Sequence, residues 1–325
     1  MNMKALWRDV ILAAMLGFVL PWLALRVGIL YAGGTAQPVA QVTRQTSVSS
    51  VPMLTLNTER GRECLELETY LVGVVLAEMP AQFPSEALKA QAVAARTYAR
   101  KAQQDKKHED GSLCGSSLCC QGYTDPEAYV AQGGSLELLE KVQCAVKETE
   151  GLCLTYNGSL IEATYFSSSN GQTEAALAVW GTDYPYLISV ESPETAQAQT
   201  ETFSLQAFSE ALGQKLSGEP GQWIGEIRYT QGGGVESIEI GGMRYSGTHL
   251  RSLLGLRSTD FEIHAEEDWI CVTTRGYGHR VGMSQYGAEA MAEQGTTFDQ
   301  ILAHYYPGTK LETQETYIDN QEVSR

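Results

Sequence analysis

The strongest pattern along the chain is a helical stripe. Leu67, Tyr70, Leu71, Val74 and Val75 recur at i, i+3, i+4, i+7 and i+8, the spacing of one buried helical face. The next position on that stripe is Glu78, and Pro80 follows and stops the helix. A second helix is predicted over 85–103, with Ser85 as N-cap and Leu88, Ala92, Ala95 and Ala99 as its apolar face. Lys89, Arg96 and Arg100 lie near one another on it as a basic patch. Residues 105–125 are loop-like and rich in Cys, Gly and Ser, and 151–166 read as a hairpin around Asn157 and Gly158. Residues 203–217 predict a short helix, 224–245 strands around the turn Gly232-Gly233-Gly234, and 261–275 another hairpin. Helix returns over 286–305 before Pro307. No fixed period repeats. The mixture predicts an α+β fold of helices and antiparallel strands.

The N-terminus differs in kind. Residues 10–25, VILAAMLGFVLPWLAL, carry no charge. If Arg26 snorkels to the interface, 10–31 reach the ~20 apolar residues of a membrane helix. Lys4 and Arg8 favour a cytoplasmic N-terminus. The expected layout is a cytoplasmic start and anchor over 1–32 and a flexible stalk over 33–52. A folded extracytoplasmic domain over 53–311 and a polar tail over 312–325 follow. A cleaved signal peptide is the alternative to the anchor.

With 43% hydrophobic and 19% charged residues the chain is a folding one. Its net charge of −16 and its lack of a basic stripe exclude non-specific nucleic-acid binding.

Charge matters most at Glu78. A carboxylate in an apolar setting is penalised when ionised, so its pKa rises, and the helix C-terminus pushes the same way. An acid that stays protonated near neutral pH can donate to a leaving group, the help that glycosidic oxygens need. A solvated side chain in a frayed last turn is the plain structural alternative. Glu86, Asp125, Glu162 and Glu174 are available as a second carboxylate, but spacing selects none of them. A substrate that supplies its own hydroxyl needs only one.

Seven cysteines are present, an odd number that cannot all pair within one chain. His108, Cys114 and Cys120 stand at H-x5-C-x5-C in a short loop, a donor set that suits zinc. Cys119 is a possible fourth ligand, although neighbouring residues rarely both reach one ion. Disulfides and free buried thiols are the alternatives. The glycine-rich run over 273–288 lacks the Gly-Lys-Ser/Thr of a phosphate loop, which excludes nucleotide binding by it. It offers His279, Ser284 and Gln285, and the run YFSSSNGQTE offers hydroxyls and an amide on a turn. Both predict the lining of a polar groove for a sugar polymer.

Three segments, AEMPAQFPSEALKAQAVAARTYAR, YFSSSNGQTEAALAVWGTDYPYLISVESP and GYGHRVGMSQYGAEAMAEQGTTFDQILAHYYPGTKL, resemble the stage II sporulation protein D family in the same order, from about Met53 to about Leu311. The resemblance implies a membrane-anchored peptidoglycan lytic transglycosylase of endospore engulfment, facing the wall between mother cell and forespore. It implies two lobes around a substrate groove. The bond cut joins N-acetylmuramic acid to N-acetylglucosamine and leaves a 1,6-anhydro end. Glu78 is then the catalytic acid. Arg96, Tyr165, Ser167, Ser168, His279, Ser284, Gln285 and Tyr286 are the expected substrate-binding residues. His108, Cys114 and Cys120 match a zinc site known in some members, with a structural role expected for the Zn2+. Glycan strands, the engulfment amidase stage II sporulation protein P and the membrane protein stage II sporulation protein M are the implied partners. Lys89, Arg96 and Arg280 are expected to offset the acidity of the chain near an anionic substrate. Arg280 departs from the glycine expected after His279. Related amidase-enhancer proteins open the alternative of a non-catalytic wall-binding activator. A zinc hydrolase with an open metal site is the other rival.

Overall fold

The computed structural model describes residues 52–313 apart from Arg60 and Ala196; the expected anchor, the stalk up to Val51 and the tail from residue 314 lie outside the described residues. Among the described residues no helix is long and apolar enough to cross a membrane.

The chain opens with the antiparallel strands β1 (Met53–Thr58) and β2 (Gly61–Glu66) and runs directly into helix α1 (Leu67–Glu78). All five stripe residues of α1 are buried, but so are Val72 and Gly73. The helix is therefore enclosed on most sides, with Thr69 its exposed residue in the first turn. At its last turn it leaves the core again, where Ala77 is exposed and Glu78 half-buried. Met79 then adopts an extended backbone ahead of Pro80.

Helix α2 (Ser85–Gln104) is central and touches α1 and six later elements. Its alanines explain this, since small side chains let neighbouring backbones approach. Leu88, Ala92, Ala95 and Ala99 are fully buried, as the periodicity predicts. Pro84, not Ser85, occupies the N-cap, and no side chain caps this end. The short strand β3 (Leu113–Cys114) pairs in parallel with β1. Helices α3 (Pro126–Ala131) and α4 (Leu136–Glu148) follow, capped by the side chains of Asp125 and Ser135.

The predicted hairpin around Asn157 and Gly158 forms between β4 (Leu152–Tyr156) and β5 (Ser159–Leu160), with both turn residues at positive φ (50° and 75°). It ends early. Strand β6 (Tyr165–Phe166) turns away and pairs in parallel with a strand more than a hundred residues later. Past helix α5 (Ala176–Trp180) comes a second region. Its elements are β7 (Gln199–Ser204), α6 (Leu205–Leu212), β8 (Ile224–Tyr229), β9 (Val235–Ile240), β10 (Met243–Ser246), α7 (Gly247–Leu254), β11 (Phe261–Ala265) and β12 (Trp269–Thr274). They form two three-stranded antiparallel sheets, β10-β9-β8 and β11-β12-β7. Phe208, Trp223, Ile238, Leu250, Phe261 and Ile270 make their core, separate from the larger core around α1 and α2.

The chain then returns to the first core through β13 (Met283–Ser284), the partner of β6. The single helix expected over 286–305 is two, α8 (Gln285–Glu293) and α9 (Phe298–Tyr305). Gly295 at φ 86° breaks it, and Thr297 with Gln300 forms a capping box that restarts it. Strand β14 (Lys310–Thr313) carries folded structure past the expected boundary at residue 311 by pairing with β4. The result is a mixed fold of helices and mostly antiparallel sheets.

Candidate functional site

Among the described residues, Glu78 is the one shared by two neighbouring depressions. The first, about 600 Å3, is lined by Glu78, Gln121, Glu162, Tyr165, Trp180 and His279 among others. The second, about 450 Å3, is lined by Glu78, Pro80, Gln82, Ser167, Gln285 and Tyr286 among others. The segment after the cysteine loop lies across α1 and half-covers the carboxylate. The Gly122 N–H donates to Glu78 Oε1, and Thr124 N donates to the carbonyl of Gly73 at 3.0 Å. Close approach demands glycine at Gly73, and at Gly122 a side chain would push on the Glu78 carboxylate. A Cβ on Gly122 would lie 2.9 Å from Glu78 Oε1, and one on Gly73 would lie 2.3 Å from the Tyr123 ring. Burial raises the Glu78 pKa, and the Gly122 N–H opposes that rise.

Tyr165 and His279 border the first depression. The Tyr165 hydroxyl accepts from Gln121 Nε2 at 2.7 Å, and Gln121 Oε1 accepts from Tyr70 at 3.3 Å. Burial and the nearby Glu78 hold the Tyr165 phenol well above its usual range. His279 stands near the rings of Phe166 and Trp180, with centroids 5.9 and 5.2 Å away. Its Nδ1 accepts from Val281 N at 3.1 Å, and burial, helped by Arg251, depresses its pKa to about 4. It is a neutral ring at physiological pH, a wall of the cavity and not a cation.

Ser167, Gln285 and Tyr286 border the second depression, where Tyr286 is exposed and meets Phe83 edge-on at 5.1 Å. The remaining three expected binding residues lie elsewhere. Ser168 bridges to Tyr277 and fixes the glycine-rich loop. Ser284 is buried and caps α8 by accepting from Gly287 N at 3.2 Å. Arg96 is fully buried and holds Glu68 through two nitrogens at 2.9 and 2.6 Å, with the carbonyls of Leu152 and Val146 at 3.2 Å. A guanidinium so enclosed has its charge and its donors satisfied internally.

The expectation of free cations near a substrate fails in the same way at Lys89 and Arg280. Lys89 pairs with Glu86 at 2.8 Å and Glu148 at 2.6 Å. Arg280 is buried beside Glu174 (3.5 Å) and Asp260 (3.7 Å) and donates to the carbonyls of Gln172 and Gly232. Its φ of 65° explains why glycine fits this position. Of the four possible second carboxylates only Glu162 shares a depression with Glu78. Glu86 is tied to Lys89 and Phe298 N, Asp125 caps α3, and Glu174 is fully buried.

Two glutamates that sequence reasoning left without a structural role, Glu174 fully buried and Glu194 half-buried, organise the motifs. Glu174 accepts from Thr230 Oγ1 at 2.8 Å and Gly234 N at 2.9 Å, which ties the SNGQTE run to the triple-glycine turn. Glu194 accepts from Ser169 N and Oγ, Ser192 and Ser284. Burial would raise its pKa, but these four donors hold it below the ordinary value. Gly287 packs against this cluster, where a Cβ would lie 2.0 Å from the Tyr305 hydroxyl. The clustered Ser and Gly residues were the only sequence signal for it.

The cysteine loop gathers four donors. The ligand atoms of His108, Cys114, Cys119 and Cys120 all lie within 4.8 Å of one another. His108 Nε2 is 3.3 Å from Cys120 Sγ and 3.7 Å from Cys119 Sγ. The N···S edge of a tetrahedral zinc site is about 3.6 Å, so the spacing fits that metal. The turn from Ser116 brings the two adjacent cysteines together, since both Cys119 N and Cys120 N donate to the Ser116 carbonyl. Pairing of β3 with β1 anchors Cys114. All seven cysteines are free thiols in this structure.

A family profile described as "Stage II sporulation protein" matches residues 58–156. Stage II sporulation protein D of Bacillus subtilis (strain 168) is 41% identical over 288 residues, covering 85% of this chain and 83% of that protein. The Bacillus amyloliquefaciens protein of the same name is 40% identical over 289 residues, covering 86% and 83%. The amidase enhancer of Bacillus subtilis (strain 168) is 32% identical over 300 residues, covering 74% of this chain but only 40% of that longer protein.

Proposed function

The chain belongs to the stage II sporulation protein D family, and from that premise we propose that it is a peptidoglycan lytic transglycosylase with Glu78 as its single catalytic carboxyl. Family membership supports a role in cell-wall remodelling during sporulation. The observation that carries the enzymatic reading is the position of Glu78, with a raised pKa, as the only one of the described residues common to two neighbouring depressions. A glycan strand laid through both presents its scissile bond at that carboxyl.

In this reading protonated Glu78 donates to the glycosidic oxygen as the C1–O bond breaks. The same carboxylate then removes the proton of the C6 hydroxyl of the muramic sugar. O6 bonds to C1, and the proton returns Glu78 to its starting state. No water is consumed and no second carboxylate is required. Gln121 occupies the acceptor side of the Tyr165 hydroxyl, which leaves its proton to donate to the sugar. Trp180 and His279 supply apolar wall, and Ser167, Gln285 and Tyr286 hold the strand in the second depression.

His108, Cys114, Cys119 and Cys120 would hold a zinc ion, which with four protein ligands supplies no open position and stiffens the loop. Gly122, two residues beyond Cys120, is thereby kept over Glu78. The charged, then apolar N-terminus is proposed as a single-pass membrane anchor that holds the domain outside the cytoplasm. The engulfment amidase, stage II sporulation protein P, and the membrane protein, stage II sporulation protein M, are its proposed partners. Similarity to an amidase enhancer favours one second reading, a non-catalytic activator of a wall amidase.

The test is incubation of the purified chain, native and Glu78→Gln, with stripped glycan strands, followed by mass spectrometry. Anhydro-terminated fragments from the native chain alone are expected. Reducing ends instead would make Glu162 the second carboxylate of a hydrolase. Strand binding without any fragments would favour the activator.

A further inference from the structure

We propose that Lys107 sets the cleavage register by binding the lactyl carboxylate of muramic acid, an inference that rests on the glycan-cleaving reading of the Glu78 site. The two sugars of the strand both carry a C6 hydroxyl, so both can close an anhydro ring. They differ only at O3, where muramic acid bears a lactyl ether. A site that cuts on one side only must therefore read that group, and without a stem peptide the group is an anion.

The chain has a net charge of −16. Arg96, Lys89 and Arg280 are all paired with carboxylates. In the linings of the two depressions that meet at Glu78, Lys107 is the one lysine or arginine among the described residues. It is exposed, and no carboxylate is salt-bridged to it among the described residues. Its contacts are neutral acceptors: the Tyr98 hydroxyl at 2.6 Å, the carbonyl of Cys119, and the face of the Tyr98 ring at 5.2 Å. The acid of the same cavity, Glu162, faces Lys101 at 3.9 Å instead. Lys107 is thus held in place by neutral acceptors and keeps no carboxylate in direct contact, while Glu162, Cys119 and Cys120 act on it only through space. An ammonium so placed gains a charge-assisted hydrogen bond from an arriving carboxylate. A glucosamine in the same position offers it only a hydroxyl, and a muramic acid amidated by a stem peptide offers no charge.

The experiment uses the full-length chain carrying Glu78→Gln, so that binding is read without turnover. Three probes of equal length are compared: stripped alternating strands, the same strands with lactyl carboxyls converted to amides, and chitin oligomers. The stripped strand is expected to bind about tenfold more tightly than the other two, the scale of one charged hydrogen bond. Adding Lys107→Gln is expected to erase that difference while leaving the affinity for chitin unchanged, and Lys107→Arg to restore most of it. Zinc content measured in each variant reports the integrity of the loop. Equal loss for all three probes, or a preference that survives Lys107→Gln, would overturn the proposal and leave Lys107 as a prop for the Cys119 turn. Failure of any strand to bind the parent Glu78→Gln protein would overturn the glycan reading itself.

Discussion

Glu78 is pulled two ways: burial raises its pKa and the Gly122 N–H lowers it, with burial dominant. A general acid works while protonated, so the rate should fall as pH rises through this pKa. The raised value moves that alkaline limb above the position set by an ordinary glutamic acid. Gly122→Ala puts a methyl group within 2.9 Å of Oε1 and pushes the carboxylate away from the Gly122 N–H that opposes the rise. A pH–rate profile should then show a lower maximum with its alkaline limb displaced upward. Glu78→Gln should reduce turnover by about 10²–10⁴-fold. Stability follows the same sign with pH as activity, although the raised pKa that aids catalysis penalises the ionised fold. A carboxyl with a raised folded-state pKa is penalised when ionised, so its contribution worsens as pH rises. The Gln variant should therefore melt no lower than the native chain at pH 7, which separates a chemical defect from a folding defect.

At the scale of elements, β6 and β13 join segments distant in sequence, and the groups around them make the joint rigid. Arg280 contributes charge to a pocket that also holds Glu174 and the carbonyls of Gln172 and Gly232. Removing one partner of a buried pair costs about 3–5 kcal/mol, and glycine at this left-handed position returns about 1. Arg280→Gly should lower unfolding free energy by about 2–4 kcal/mol in denaturant titration, although glycine satisfies the backbone better. The cysteine loop behaves differently, because a metal would do the work of a core. Cobalt-loaded protein should show thiolate-to-metal absorption that falls by about a third in Cys119→Ser if three sulfurs ligate. Chelation should lower both melting temperature and activity, since Gly122 follows the loop directly.

The whole molecule carries −16 and is proposed to act on an anionic polymer. Long-range repulsion then opposes encounter, while Lys107 acts only at contact distance. Raising ionic strength toward about 0.15 M shortens the Debye length to about 8 Å and screens the repulsion first. The KM for stripped strands should therefore fall between low salt and about 0.15 M, which steady-state kinetics can check. A basic wall enzyme would show the opposite trend.

Local pattern alone determined α1 and its end at Glu78, the buried face of α2, the turn at Asn157 and Gly158, and the hairpin of β11 with β12. Each depends on periodicity or on backbone preferences of neighbouring residues, which are written in the sequence directly. The donor set of the cysteine loop was legible for the same reason, although the turn at Ser116 was needed to admit Cys119. Tertiary structure decided the rest. The parallel pairing of β6 with β13 depends on contacts across more than a hundred residues, to which no local period points. The roles of cations also lay beyond the sequence: Arg96, Lys89 and Arg280 read there as free charges, and only the fold shows them spent on Glu68, Glu86 and Glu174. A charge is legible in a sequence, but its partner is not, because electrostatic pairing is settled by distance in three dimensions.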